Sequence, residues 1–159
     1  MSIICKKYIT KSPSQTKKIA EKIAKKILNN FKEKKALIIG LEGELGAGKT
    51  TFLKGFARPL KINEKEILSP TFVIIRKFPI NFRNFKDFYH VDCFRIKDKK
   101  ELENLGFFEI LKDSQSIVVI EWAEKIREFL PKKSYLIKFK FLDKQTREIV
   151  LKYKNGKKS

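Results

Sequence analysis

Residues 43–50 read Gly-Glu-Leu-Gly-Ala-Gly-Lys-Thr and fill the G-x-x-x-x-G-K-[ST] phosphate-loop pattern directly after the apolar run Ala36, Leu37, Ile38, Ile39. No other feature constrains the fold as strongly, because the pattern works only where a strand stops and a helix begins. Gly43, Gly46 and Gly48 let the backbone curl so that successive N–H groups turn inward as an anion cradle. A helix opening at Lys49 adds free N–H groups and the positive end of its dipole. The Lys49 ammonium is then expected at the β- and γ-phosphates of a nucleoside triphosphate, and the Thr50 hydroxyl on magnesium. An ordinary glycine-rich turn with a surface lysine explains neither the strand before it nor the helix expected over residues 50–58 after it.

The rest of the chain reads as alternating strands and helices. Residues 3–9 are rich in β-branched types, and Ser12, Pro13 and Gln15 supply an N-cap, a proline at N1 and a capping-box glutamine for the next helix. In that helix Ile19, Ile23, Ile27 and Phe31 recur every four residues beside Ala20, Ala24 and Leu28, which marks a core-packing face opposite a solvated lysine face. Residues 36–41 form the strand that feeds the loop, and the loop's helix should stop near Pro59. Strands are expected at 71–78 and 85–91, separated by a loop holding Pro79, Asn81 and Asn84. Residues 98–105 suit a short helix ended by Gly106. The wholly apolar run at 117–120 suits a strand buried on both faces of a parallel sheet. Residues 123–130 predict a last helix before Pro131, and 135–142 with 146–153 a terminal hairpin. The fold class is therefore α/β and P-loop NTPase-like, with a mainly parallel central sheet flanked by helices and a C-terminal β-hairpin. Residues 1–153 read as one P-loop domain and 154–159 as a frayed basic tail, without internal repeats.

Composition bounds the setting. At 159 residues the chain is large enough to bury roughly two-thirds of its unfolded surface without disulfide or metal staples. No apolar stretch approaches the roughly 20 residues of a membrane span, and residues 1–7 lack a long apolar signal region, so a cytoplasmic protein is expected. Cys5 and Cys93 make no C-x-x-C pair and are expected as buried small apolar residues. The formal net charge of +19 points towards a polyanion, yet only six of the 37 basic residues are arginine and the lysines are spread through every segment. Compositional drift accounts for that pattern better than a dedicated phosphate-reading surface, which favours arginine forks.

Two apolar strands end in acids, one running into Asp92 and the other into Glu121. Either carboxylate can complete a magnesium shell or orient an attacking water, and the residues alone do not divide those roles. The segment Ser69-Pro70-Thr71-Phe72 places a hydroxyl where many nucleotide switches sense the γ-phosphate, although Thr71 also suits a plain strand. His90, the single histidine, reads as a packed, hydrogen-bonded residue and not as a base, and Trp122 reads as a core anchor beside Glu121.

Taken in order, these motifs resemble those of the small bacterial ATPases required for threonylcarbamoyladenosine modification of tRNA, the TsaE or YjeE family. The resemblance rests on G-x-L-G-A-G-K-T at 43–50, S-P-T-F at 69–72, H-x-D-x-Y-R at 90–95 with Phe94 in place of tyrosine, and E-W at 121–122. It implies a nucleotide-binding loop of Gly43, Glu44, Leu45, Gly46, Ala47, Gly48, Lys49, Thr50 and Thr51, with Trp122 beside the nucleotide. It further implies that Lys49 binds phosphate, that Thr50 and Glu121 hold magnesium, that Asp92 assists hydrolysis and that Thr71 is the switch residue. Arg95 is expected to stabilise transferred charge or to contact a partner. The implied ligands are ATP or ADP with Mg2+, and the implied partners are the TsaD and TsaB proteins, with tRNA contact indirect or shared. Slow, partner-dependent ATP hydrolysis follows. A small nucleoside or metabolite kinase and an RNA-binding module are the alternatives, and the absence of an N-K-x-D sequence argues against a GTPase.

Overall fold

The computed structural model describes residues 3–67 and 74–154. Seven strands form one sheet in the order β1-β7-β6-β2-β5-β4-β3. The strands are β1 (Ile3–Thr10), β2 (Leu37–Glu42), β3 (Ile75–Phe82), β4 (Phe85–Asp92), β5 (Ser116–Glu121), β6 (Tyr135–Phe141) and β7 (Arg147–Lys154). The four central strands β4-β5-β2-β6 run parallel, while β3 at one edge and β7-β1 at the other are antiparallel. Every residue of β2 and β5 is buried, as expected for strands covered on both faces. Lys154 closes β7, and the other residues of the expected tail, 155–159, lie outside the described residues.

Helices α1 (Pro13–Asn30) and α2 (Lys49–Phe56) cover one face. Local chemistry starts α1 where the sequence suggests. Ser12 accepts a hydrogen bond from the Gln15 N–H at 3.1 Å, and the Gln15 side chain accepts one from the Lys11 N–H at 2.7 Å. Thr16, Ala20, Ile23, Ala24, Ile27 and Leu28 are buried along one stripe of the helix. The opposite face of the sheet carries α3 (Lys99–Asn104), α4 (Phe107–Leu111) and two 3₁₀ turns, packed on Val91, Val118 and Ile120.

Several local expectations are corrected. Residues 123–130 do not form an α-helix; they make two 3₁₀ turns, Ala123–Lys125 and Arg127–Phe129. Ala123 and Ile126, three residues apart, are both fully buried, and that spacing matches three residues per turn. Trp122 at φ 60 bends the chain sharply before the first turn, and Pro131 stops any continuation. Pro79 and Asn81 lie inside β3, not in a loop; β3 is an edge strand whose register shifts between Pro79 and Phe82, where a missing N–H is tolerated. The hairpin turn is instead Arg83 and Asn84, with Arg83 at φ 54. Gly106 ends α3 and also begins α4, which sequence periodicity did not separate. Cys5 is exposed on β1, whereas Cys93 is buried and burial pushes its thiol up to about 12.

The two large helices approach to backbone contact at Gly55. A Cβ there would fall 2.3 Å from the Lys17 carbonyl oxygen and 2.6 Å from the Lys17 Cα, atoms that cannot rotate away. Gly55→Ala is therefore expected to lower the unfolding free energy by about 2–3 kcal/mol in urea titration. A loss below about 0.5 kcal/mol would show that α1 and α2 can part without cost.

Candidate functional site

Parallel pairing aligns the carboxyl ends of three strands. Leu41 of β2 and Asp92 of β4 both pair with Glu121 of β5, so the loop leaving β2 emerges beside the two strand-end acids. Gly43, Gly46 and Gly48 take φ values of 153, 79 and 105. Gly43 also lacks room for a side chain, since a Cβ would lie 2.8 Å from the Phe139 carbonyl oxygen. The glycine spacing is thus a steric requirement of the loop as well as a sequence pattern.

Lys49, the first residue of α2, is only 5% exposed. Its Nζ donates to the Gly43 carbonyl and, at 3.0 Å, to the Glu44 carbonyl, which closes the loop into a ring. The ammonium also lies 3.9 Å from the centre of the Trp122 ring. Burial pushes the Lys49 pKa down, and the carboxylates of Glu124, Glu121, Asp92 and Glu44 oppose that shift. Phe94 packs on Trp122 with ring centres 5.0 Å apart, so the phenylalanine in this position keeps the aromatic contact without a hydroxyl.

Thr50, in the first turn of α2, donates its hydroxyl to Glu121 Oε1 at 2.9 Å. Glu121 is 3% exposed, and its Oε2 lies 2.6 Å from Nε2 of the fully buried His90. Asp92 is 8% exposed and accepts the Phe94 N–H at 2.9 Å. Burial raises the Asp92 pKa and the Glu121 charge adds to the rise, while the Phe94 N–H, His90 and Lys49 oppose it. Thr50, Glu121 and Asp92 offer oxygen atoms only. Among the described residues no group of three His, Cys, Asp or Glu side chains could hold a metal ion. That donor set does not cage a cation on its own; it fits magnesium, which takes one or two protein oxygens and completes its octahedron with phosphate and water.

The structure therefore brings together Lys49, Thr50, Asp92, Glu121 and Trp122 around the loop. Arg95 lies on the exposed turn after β4. Thr71 and the rest of 69–72 fall outside the described residues. His90 is packed and hydrogen-bonded as its surroundings suggested, but its partner is Glu121, which no motif spacing reveals. Three further groups escaped sequence reasoning. Glu124 Oε2 accepts the Gly43 N–H at 3.1 Å. The buried Glu42 takes a two-pronged pair from Arg127, 2.9 and 2.5 Å, tying the 3₁₀ turns to the end of β2. Arg147 of β7 reaches over Phe141 towards the Gly46 carbonyl at 3.5 Å. These contacts come from residues distant in sequence and carry no local signal.

Cavities flank the loop on two sides. One of about 340 Å³ is lined by Lys11, Ser12, Pro13, Thr16, Gly46, Gly48, Thr51, Lys144, Gln145 and Arg147. Another of about 320 Å³ is lined by Gly43, Glu44, Trp122, Glu124 and β6 residues. A larger one of about 500 Å³, against Ile9, Gln15, Lys18 and Lys22, includes no loop residue.

A strand, a glycine-rich loop and a helix headed by Lys49, set at the carboxyl edge of a sheet with a parallel centre, define a P-loop-type α/β protein. The family profile described as "Threonylcarbamoyl adenosine biosynthesis protein TsaE" matches residues 10–149. The tRNA threonylcarbamoyladenosine biosynthesis protein TsaE of Bacillus subtilis is 38% identical over 143 residues, covering 90% of this chain and 82% of the relative. The Haemophilus influenzae protein of the same name is 34% identical over 127 residues, covering 80% and 74%. The crystal structure of Bacillus subtilis YdiB superposes with a TM-score of 0.67 at 31% identity, covering 96% of this chain and 88% of that one. The chain belongs to the TsaE family, which is involved in tRNA threonylcarbamoyladenosine biosynthesis. Among the described residues no helix is long and apolar enough to cross a membrane.

The raised pKa of Asp92 has a consequence for stability. The folded state holds the Asp92 proton more tightly than the unfolded chain, so stability falls as pH rises from the unfolded to the folded pKa, and the full penalty stands above both. Asp92→Asn keeps the acceptor for the Phe94 N–H and removes the charge. Without nucleotide or magnesium, it is expected to raise the melting temperature at neutral pH by about 2–4 °C, and the gain should fade below the ordinary carboxylate range. A lower melting temperature at neutral pH would contradict the assigned burial cost.

Proposed function

We propose that this chain is a magnesium-dependent ATPase that serves tRNA threonylcarbamoyladenosine biosynthesis by regulating or resetting a TsaD–TsaB complex. The observation that carries the reading is the Thr50–Glu121 hydroxyl–carboxylate pair, 2.9 Å apart, beside a loop closed by Lys49. A hydroxyl at the head of the loop helix and a carboxylate at the end of the neighbouring strand are the two groups that a magnesium ion on a nucleotide's phosphates requires from a P-loop protein.

In this reading the N–H groups of Glu44, Leu45, Gly46, Ala47, Gly48, Lys49, Thr50 and Thr51 and the Lys49 ammonium bind the phosphates. Thr50 and Glu121 would hold magnesium, which when bound would supply positive charge against the phosphates. Asp92 orients a water and accepts its proton as the water oxygen bonds to the γ-phosphorus and the bond to ADP breaks, giving ADP and inorganic phosphate. Burial makes its carboxylate a stronger base for that step. Trp122, whose ring lies against the loop lysine, sits by the nucleotide, Thr71 is assigned the switch role, and Arg95 supplies either charge stabilisation or a partner contact. ATP and ADP are thus the nucleotides, tRNA is contacted indirectly or jointly, and the setting is the cytoplasm.

The reading is tested by ATP turnover with magnesium, in the presence and absence of TsaD and TsaB, for the wild type, Lys49→Ala and Glu121→Ala. Turnover should be slow alone, rise with the partners, and fall by about 100-fold or more in each variant. Turnover indifferent to both substitutions would refute the site, and phosphorylation of a small acceptor without regard to the partners would replace the reading with a kinase.

A further inference from the structure

We propose that His90 is a positioning residue that holds the Glu121 carboxylate in the orientation the magnesium site needs. The proposal rests on the magnesium–nucleotide reading above and extends it to a residue that reading does not use.

Glu121 ends the central strand β5 at the carboxyl end of the sheet, where an unpartnered carboxylate would be free to rotate about its side-chain bonds. Its two oxygens are instead engaged one by one from different elements. Oε1 accepts from Thr50 on α2 at 2.9 Å, and Oε2 lies 2.6 Å from His90 Nε2 on β4. An ionised carboxylate only accepts, so Nε2 carries the proton in this pair. Two hydrogen bonds, one to each oxygen and from different elements, restrain the carboxylate's rotation, as outer partners do for metal-bound acids. The register explains why position 90 can do this. His90 and Asp92 are two residues apart and so share a face of β4, where Asp92 pairs with Glu121 and His90 with Val119, one step further in.

A purely space-filling role fits the site poorly. His90 has no exposed surface, and its second ring nitrogen, Nδ1, is buried without a hydrogen-bond partner among the described residues. A leucine or methionine would pack in this position without leaving a buried polar atom unpaired. The imidazole is accounted for by the one bond that an apolar residue cannot make, the bond to Glu121.

Magnesium affinity separates positioning from packing. Titrating Mg2+ into the ADP-bound protein by calorimetry, His90→Met is expected to weaken magnesium binding about 10- to 100-fold relative to the wild type. ADP affinity without magnesium should change less than about three-fold, because the phosphate cradle is separate from the acid. His90→Gln, whose amide can donate close to the Nε2 position, should recover most of the loss. Magnesium binding in a folded His90→Met protein equal to the wild type would overturn the proposal while leaving the nucleotide site standing. If the wild type itself bound no magnesium with ADP, the underlying reading would fall first. Should His90→Met fail to fold, the wild type decides, since His90 is its only histidine. The imidazole ¹⁵N and Nε2–H signals of untagged protein should shift when magnesium is added to the ADP complex, and unmoved signals would overturn the proposal.

Discussion

The parallel register of β2, β5 and β4 is the constraint on which the site depends. Leu41, Glu121 and Asp92 end side by side because each strand pairs with its neighbour at one fixed offset. A slip of one residue in β5 would turn Glu121 to the other face and aim its carboxylate away from Thr50. The buried faces make that slip costly. Ile117 and Val119 pack with the core under α1 and α2, while Val118 and Ile120 pack under α3 and α4, so both sides of the strand hold the register. The edges are made differently: β1 joins β7 and β3 joins β4 in antiparallel pairs, and neither edge strand contributes to the acid cluster.

The same register concentrates charge where water is scarce. Lys49, Asp92 and Glu121 are all at least nine-tenths buried within one small region, with Glu124 at its rim. Burial drives Lys49 towards its neutral form and Asp92 towards its protonated form, and the fold offsets this only in part through mutual attraction and the carbonyls of Gly43 and Glu44. Such a cluster does little for stability, since desolvation consumes most of the Coulombic gain. In the proposed reading it prepares the site for a ligand that brings its own charges, polyphosphate against the ammonium and a cation against the acids. Stability held back at a site of this kind is the usual accompaniment of function.

Much of this arrangement was legible in the sequence because it is written locally. The octapeptide at 43–50 fixed the strand–loop–helix junction, the Ser12–Pro13–Gln15 cap fixed the start of α1, and the apolar run at 117–120 announced a doubly buried strand ending in an acid. The exceptions share a cause. Residues 123–130 look helical by composition, yet the positive φ of Trp122 and the closeness of Pro131 leave room only for 3₁₀ turns. Pro79 looked like a loop residue because sequence does not tell an edge strand from a central one. Glu124, Arg127 and Arg147 meet the loop region from 81, 85 and 101 residues away, and His90 meets Glu121 across 31. Contacts of that kind exist only once the register does.

In the proposed function Thr50 and Glu121 present magnesium to phosphates cradled by residues 43–51. Its most direct test is a crystal structure with magnesium and a non-hydrolysable ATP analogue. The phosphates are expected on the loop amides and Lys49 and the ion bound by the Thr50 hydroxyl, with Glu121 hydrogen-bonded to that hydroxyl or bound to the ion. A nucleotide seated away from the loop, or an ion with neither Thr50 nor Glu121 near it, would contradict the claim.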